Sequence, residues 1–217
     1  MIAVLTDLAG TATLLELASG ITAAGPPAVD QWSIGPLVAG WASQPGLREG
    51  LREHLRTLTP REERRIVARS RETTTHFAWC LRDEPGEPFT FWLHEYKPQR
   101  DWRHGYADSV HNHRYHFSTT ILTGSYLHER YTARLGDGER SILSATLLRG
   151  TECPAGTSGT MLAHEFHRIP RAGDDTMTFL VKSRAISPWS LSFDPDTGAS
   201  HRHVPVESRL EELTNQL

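Results

Sequence analysis

Cysteine is nearly missing from this chain. Cys80 and Cys153 are the only two among 217 residues, which argues against a disulfide framework and fits a reducing cytoplasm. Strong charge of one sign is missing too. Lys and Arg number 23 against 26 Asp and Glu, a net charge of −3, so no global field draws the chain to nucleic acid or to an anionic membrane. No apolar run approaches the roughly 20 residues of a membrane span. The opening stretch MIAVLTDLAGTATLLELASG lacks a basic start and is interrupted by Asp7 and Glu16, so it reads as part of the fold and not as a signal peptide. There is no Gly-rich phosphate loop, no nucleophile elbow, no repeat and no low-complexity segment. The peptides HERY and HEFH lack the spacing of a zinc-protease helix. Cys153 reads as a buried thiol in a turn.

What the chain does have is histidine, twelve in all, most of them between residues 76 and 203. Hydrophobic residues make up 38% and charged residues 23%, which suits one well-cored globular domain. Residues 1–72 read as a helical segment packed on the remainder. Leu14, Leu15 and Leu17 mark a short first helix after a turn at Gly10, and AAGPPAVD reads as a linker. Leu47, Leu51, Leu55 and Leu58 recur at helical spacing with Arg48, Arg52 and Arg56 between them. Thr59, Pro60 and Glu62 form a capping box that starts another helix. The arginines here are interleaved with glutamates, so this surface reads as a solvated helix face and not as a nucleic-acid site.

From residue 73 to residue 217 the texture is that of a barrel. HFAWCLR, FTFWLHEY, STTILTGSYLHERYTARL, RSILSATLLRG, TSGTMLAHEFHRI and TMTFLVKS are β-branched and aromatic runs divided by turn signals such as DEPGEP and GDGE. Short strands at regular spacing predict a sandwich or small barrel. The end of the chain predicts a short amphipathic helix with Leu210 and Leu213 on its apolar face. That helix would pack on the barrel or on a second copy of the chain, as in a homodimer. GASHRHVP, with His201 and His203, reads as a loop.

The informative stretch is GYADSVHNHRYHFSTTILTG, residues 105–124. His111 and His113 stand two apart, so on a strand they share one face and make a ready pair of metal ligands. His116 and Arg114 would point away. Gly105 lies five intervening residues before His111, and Gly124 follows where the strand turns. This spacing resembles the first motif of the cupin superfamily, except that the glutamate expected there is replaced at Phe117 or Ser118. The second motif is represented by GTECPAG, followed by His164 and His167. These two lie three apart, so on a strand only one of them can join the pair.

HFAWCLRDEPGEPFTFWLHEY, HNH and FHRIPR together resemble the cysteine dioxygenase branch of thiol dioxygenases, over roughly residues 40 to 193. The resemblance implies a double-stranded β-helix barrel behind N-terminal helices. It also implies a metal held by His111, His113 and His167, with His164 as the alternative to His167. Trp102 matches a tryptophan often present in that family. Ser118 stands where mammalian-type members have a crosslinked cysteine, and Trp79 stands where they bind the substrate carboxylate through arginine. The serine–histidine–tyrosine relay is not evident in TMTFLVKS. The substrate therefore does not carry over.

Three neutral imidazoles leave about three positions open on a six-coordinate ion. Such a site favours an anionic chelating substrate beside O2, and Fe(II) as the metal, with Zn, Mn, Ni and Cu left open. A His-x-Asp type of 2-oxoglutarate oxygenase is disfavoured, because residue 113 is histidine. The expectation is a cytoplasmic Fe(II)-dependent oxygenase of a small molecule. Tyr115, Tyr126 and His128 would supply protons or hydrogen bonds, and Trp79, Arg82, Tyr96 and Trp102 would line the substrate. The competing classes are a cupin isomerase, lyase or hydrolase working without O2, and a non-catalytic regulatory cupin.

Overall fold

A computed structural model describes residues 9–25 and 32–216. The first residues of the chain and most of the AAGPPAVD linker lie outside the described residues. Among the described residues, four helices come first: α1 (Ala9–Ala23), α2 (Gly35–Ala42), α3 (Leu47–Arg56) and α4 (Pro60–Arg69). In α1, Leu14, Leu17, Ala18 and Ile21 are buried, which is one helical stripe. The helix is longer than its leucines suggested and takes in Gly10. A glycine near a helix end costs at most about 1 kcal/mol, little against four buried side chains. The capping box of α4 forms as read: Glu62 N donates to Thr59 Oγ1 at 3.3 Å, and Thr59 N donates to Glu62 Oε2 at 2.8 Å. Its arginines meet acids of a turn that follows, as in the Arg65–Glu84 pair at 2.8 Å.

Among the described residues, twelve strands follow. They are β1 (Arg71–Glu72), β2 (His76–Arg82), β3 (Phe89–Tyr96), β4 (Val110–His111), β5 (Phe117–Thr123), β6 (Ser125–Leu135), β7 (Ile142–Pro154), β8 (Ser158–Met161), β9 (Phe166–Ala172), β10 (Met177–Ser183), β11 (Ser190–Phe193) and β12 (Ser200–His203). They pair antiparallel in two six-stranded sheets, ordered β1-β2-β3-β10-β5-β8 and β12-β11-β4-β9-β6-β7. The protein is thus mainly β, a barrel of two antiparallel sheets with helices at its start and a short α5 (Leu210–Gln216) at its end. No helix of the described residues is long and apolar enough to cross a membrane.

Period-two alternation decides what faces the barrel interior. On β3, Phe89 and Phe91 turn outward and join Phe179 and Val181 of β10 in one core with α1, α2 and α3. Thr90, Trp92, His94 and Tyr96 turn inward, opposite Lys182, Leu180 and Thr178 of β10. Both faces of this sheet are therefore covered, which is why FTFWLHEY shows no polar face. Gly124 makes the tight turn from β5 to β6 at φ +69°, where an added Cβ would stand 2.8 Å from Thr176 Cα.

Several expectations are corrected here. HNHRYHF is not one strand: the chain leaves the second sheet at His111 and joins the first at Phe117. The crossing has no regular ladder and is held by isolated backbone bonds, such as Ile186 N to Arg114 O at 2.8 Å, together with side chains. Leu191 N donates to Asn112 Oδ1 at 2.7 Å, and Ala163 N donates to His116 Nδ1 at 2.8 Å. His201 and His203 are not in a loop but on β12, an edge strand paired with β11. Such short edges carry too few residues to show a period. Cys153 lies in β7 opposite Tyr126, not in a turn. Leu210 and Leu213 of α5 are 64% and 51% exposed, so the barrel of the same chain does not cover them.

Candidate metal centre and its cavity

His111 closes β4 and stands directly opposite His167 on β9. The two rings are 4.6 Å apart, centroid to centroid, and His113 in the crossing segment lies 4.8 Å from His111 and 5.0 Å from His167. One nitrogen from each of the three falls within 4.8 Å of the others. His164 is exposed in the turn before β9 and takes no part. Of the two alternatives, His167 is the one brought to the pair.

The hydrogen bonds around these rings fix which nitrogens are free. Ser109 O accepts only, so at 2.9 Å it holds the proton on His111 Nδ1 and leaves Nε2 as a lone pair. His167 Nδ1 faces His128 Nε2 at 3.0 Å. A proton on His167 Nδ1, donated to His128, leaves His167 Nε2 free, and that atom faces His113 Nε2 at 2.8 Å. Two ligands at right angles, each about 2.1 Å from one ion, stand about 3 Å apart, so the donor set fits a metal. Burial pushes His111 down to about 4, against a slight upward pull from Ser109 O. Burial first, and the neighbouring histidines second, hold His113 and His167 well below their ordinary value. All three are neutral at pH 7, the form that binds metal. Phe117, at the position of the missing glutamate, puts its ring 5.0 Å from that of His113, edge-on. It adds an apolar wall and no charge.

The group faces a cavity of about 490 Å³ between the sheets. Tyr115 lines it with its ring stacked 5.2 Å from that of His113. Tyr126 and Tyr96 line it too, 6.0 Å apart ring to ring, as does His128. Burial raises the Tyr96, Tyr115 and Tyr126 phenols, so they remain protonated hydrogen-bond donors at neutral pH. Burial lowers His128 to about 4, with Arg130 and Arg149 adding to the effect.

Three of the residues expected on the substrate wall are not brought to the cavity. Trp79 sits on the outward face of β2 and donates to Glu95 Oε2 at 2.9 Å. Arg82, beyond a bulge in β2, clasps Glu87 at 3.0 and 2.6 Å. Trp102 lies behind Tyr96, ring to ring at 6.2 Å, with Nε1 donating to Lys97 O at 2.9 Å. Counted by alternation, β2 turns His76 inward and Trp79 outward. Sequence reasoning overlooked His76, His94, Tyr106 and Lys182, all of which line the cavity. For His94 and Lys182 the signal was present, since each shares the inward face of its strand with a large apolar residue, Trp92 and Leu180. Tyr106 packs its ring 4.4 Å from that of His111 and donates to Asn112 O, but it comes from a single 3-10 turn, Tyr106–Asp108, too short to show a period.

No family model matches the sequence, and no curated protein matches it. Solved structures with a similar chain course include oxalate decarboxylase from Lactobacillus farciminis, at 18% identity, 57% of this chain, 33% of that chain and a TM-score of 0.38. The DMSP lyase DddQ from Ruegeria pomeroyi DSS-3 shows 14% identity over 70% of this chain and 74% of that one, with a TM-score of 0.41. KdgF from Halomonas sp. shows 11% identity over 52% and 85%, with a TM-score of 0.36. The chain spans about a third of the length of the oxalate decarboxylase. These likenesses are too distant to bring an activity with them.

Proposed function

We propose that this protein is a metal-dependent enzyme that uses non-haem Fe(II) and O2 to oxidise a small, anionic, metal-chelating substrate. The observation that carries the reading is the convergence of His111, His113 and His167. They are neutral and come from three segments, and a backbone carbonyl orients one while His128 orients another. An iron ion held there would supply Lewis acidity and open positions for substrate and O2. The chain's own residues do the rest. His128 keeps His167 in the metal-binding tautomer. Tyr115 and Tyr126 offer hydrogen bonds to oxygen atoms at the cavity wall, and Phe117 contributes an apolar wall beside His113 and no charged group of its own. Among the described residues no aspartate or glutamate lines the cavity, which favours an anionic substrate over a cationic one.

The test is oxygen uptake by anaerobically purified, iron-loaded protein when small thiols, catechols and 2-oxo acids are offered in turn. Consumption of O2 with loss of one of these supports the reading. Stoichiometric zinc, manganese or nickel without any oxygen uptake would replace it with an isomerase, lyase or hydrolase. Absence of metal, with unchanged stability in His111→Ala, would leave a non-catalytic barrel.

A further inference from the structure

The cavity holds a basic side chain that the metal centre does not use. Lys182, on β10, is 3% exposed, and its register partners are Thr90 and Phe117 on the neighbouring strands. The ammonium therefore stands inside the barrel in the middle of the first sheet. Its contacts are aromatic faces, with Nζ 4.2 Å from the Trp92 ring centre and 5.1 Å from that of Tyr115. Arg71, on β1, holds its guanidinium 5.2 Å from the same indole and lines the same cavity. Among the described residues no carboxylate neighbours Lys182 electrostatically; burial first and Arg71 second hold it well below the ordinary lysine value, with Cys80 pulling the other way, so its ammonium form lacks a counter-ion. A buried ammonium costs stability unless an anion accompanies it, and a second cation on the same ring raises that cost.

A second polar group points to the same space. His94, on the inward face of β3, keeps a buried Nε2 with no hydrogen-bond partner, and it lines the cavity. Buried polar atoms are seldom left so. The position relative to the metal centre is fixed by Tyr115, whose ring touches both the His113 ring at 5.2 Å and Lys182 Nζ at 5.1 Å. A small molecule can therefore reach from one to the other.

We propose that Lys182, Arg71 and His94 form an anion subsite that holds a carboxylate, sulfonate or phosphate group of the substrate while its other end meets the three histidines. Only that last clause rests on the metal-enzyme reading; anion binding stands on the cavity alone. The substrate class is then a bifunctional one, with a chelating head and an oxyanion tail.

The test uses the full chain with sodium sulfate as the probe, titrated calorimetrically at constant ionic strength, with metal content measured on the same samples. Sulfate should bind the wild type. Lys182→Met should weaken that binding about tenfold or more, the effect of losing a charged hydrogen-bond donor, with metal content unchanged. Arg71→Gln should weaken it less, because Arg71 is the more exposed of the two cations. His113→Ala should lose metal and still bind sulfate, which separates this subsite from the metal centre. In sulfate-free buffer Lys182→Met should melt at a higher temperature than the wild type, because a buried amine without an anionic partner is gone. The proposal is overturned if wild type binds no sulfate, if Lys182→Met binds it as wild type does, if His113→Ala abolishes binding, or if Lys182→Met melts lower.

Discussion

His128 Nε2 and His167 Nδ1 face each other at 3.0 Å, and that contact decides which nitrogen of His167 is left to bind a metal. His128 touches no other member of the three-histidine group by hydrogen bond among the described residues. Its replacement should act on metal affinity through the orientation of His167. His128→Phe should weaken metal binding about 10- to 100-fold, the usual cost of losing a partner behind a ligating histidine. Competition with a chelator measures this directly. Unchanged affinity would show that His167 needs no support.

Acid should destabilise the metal-free protein in a definite window. Burial, reinforced by Lys182 and Arg71, holds His76 at about 3, against 6.5 for the free side chain. Between those values the unfolded chain binds the proton and the folded chain does not, so stability falls as pH drops from 6.5. The slope is up to about 1.4 kcal/mol per pH unit. Above 6.5 neither state binds the proton and the effect vanishes. Melting temperatures of wild type and His76→Gln between pH 7 and 4 should diverge, with the variant falling less steeply. Parallel curves would mean that His76 is not the buried base described.

The turn at Gly124 is strained for any other residue. Its φ of +69° is left-handed, and a Cβ would press on Thr176 Cα at 2.8 Å. Gly124→Ala should therefore cost about 1–3 kcal/mol in denaturant unfolding, displacing the β5–β6 turn beside Tyr126. A loss below about 0.5 kcal/mol would show that the turn adapts.

Arg82 offers a contrast within the same strands. Its guanidinium is spent on Glu87, and both side chains are 20% exposed. Arg82→Ala should lower stability by about 1 kcal/mol while leaving metal content and substrate affinity as in the wild type. A large loss of substrate binding would return Arg82 to the cavity wall.

The contrast between Arg82 and Lys182 shows what the sequence could reveal. The barrel, the helical start and the α4 cap were legible, because alternation and capping are local patterns. His111 and His113 were legible as a pair, although the reason was only partly right: His113 lies past the strand, in a crossing that no period marks. The choice between His164 and His167 became plain only with the β4–β9 register. Trp79 and Arg82 were placed by their match to another family's strand, whereas alternation counted from His76 would have turned Trp79 outward. Lys182 escaped notice because a lone lysine in a strand ordinarily faces solvent, although its place on the Leu180 face was readable; the pairing of β10 between β3 and β5 puts that face inside.

Metal content of protein purified without oxygen tests the central claim most directly. Wild type should carry stoichiometric iron, and His111→Ala, His113→Ala and His167→Ala should each lose it while His164→Ala retains it. A wild type free of metal, or a His167→Ala variant that keeps its full complement, would contradict the three-histidine centre.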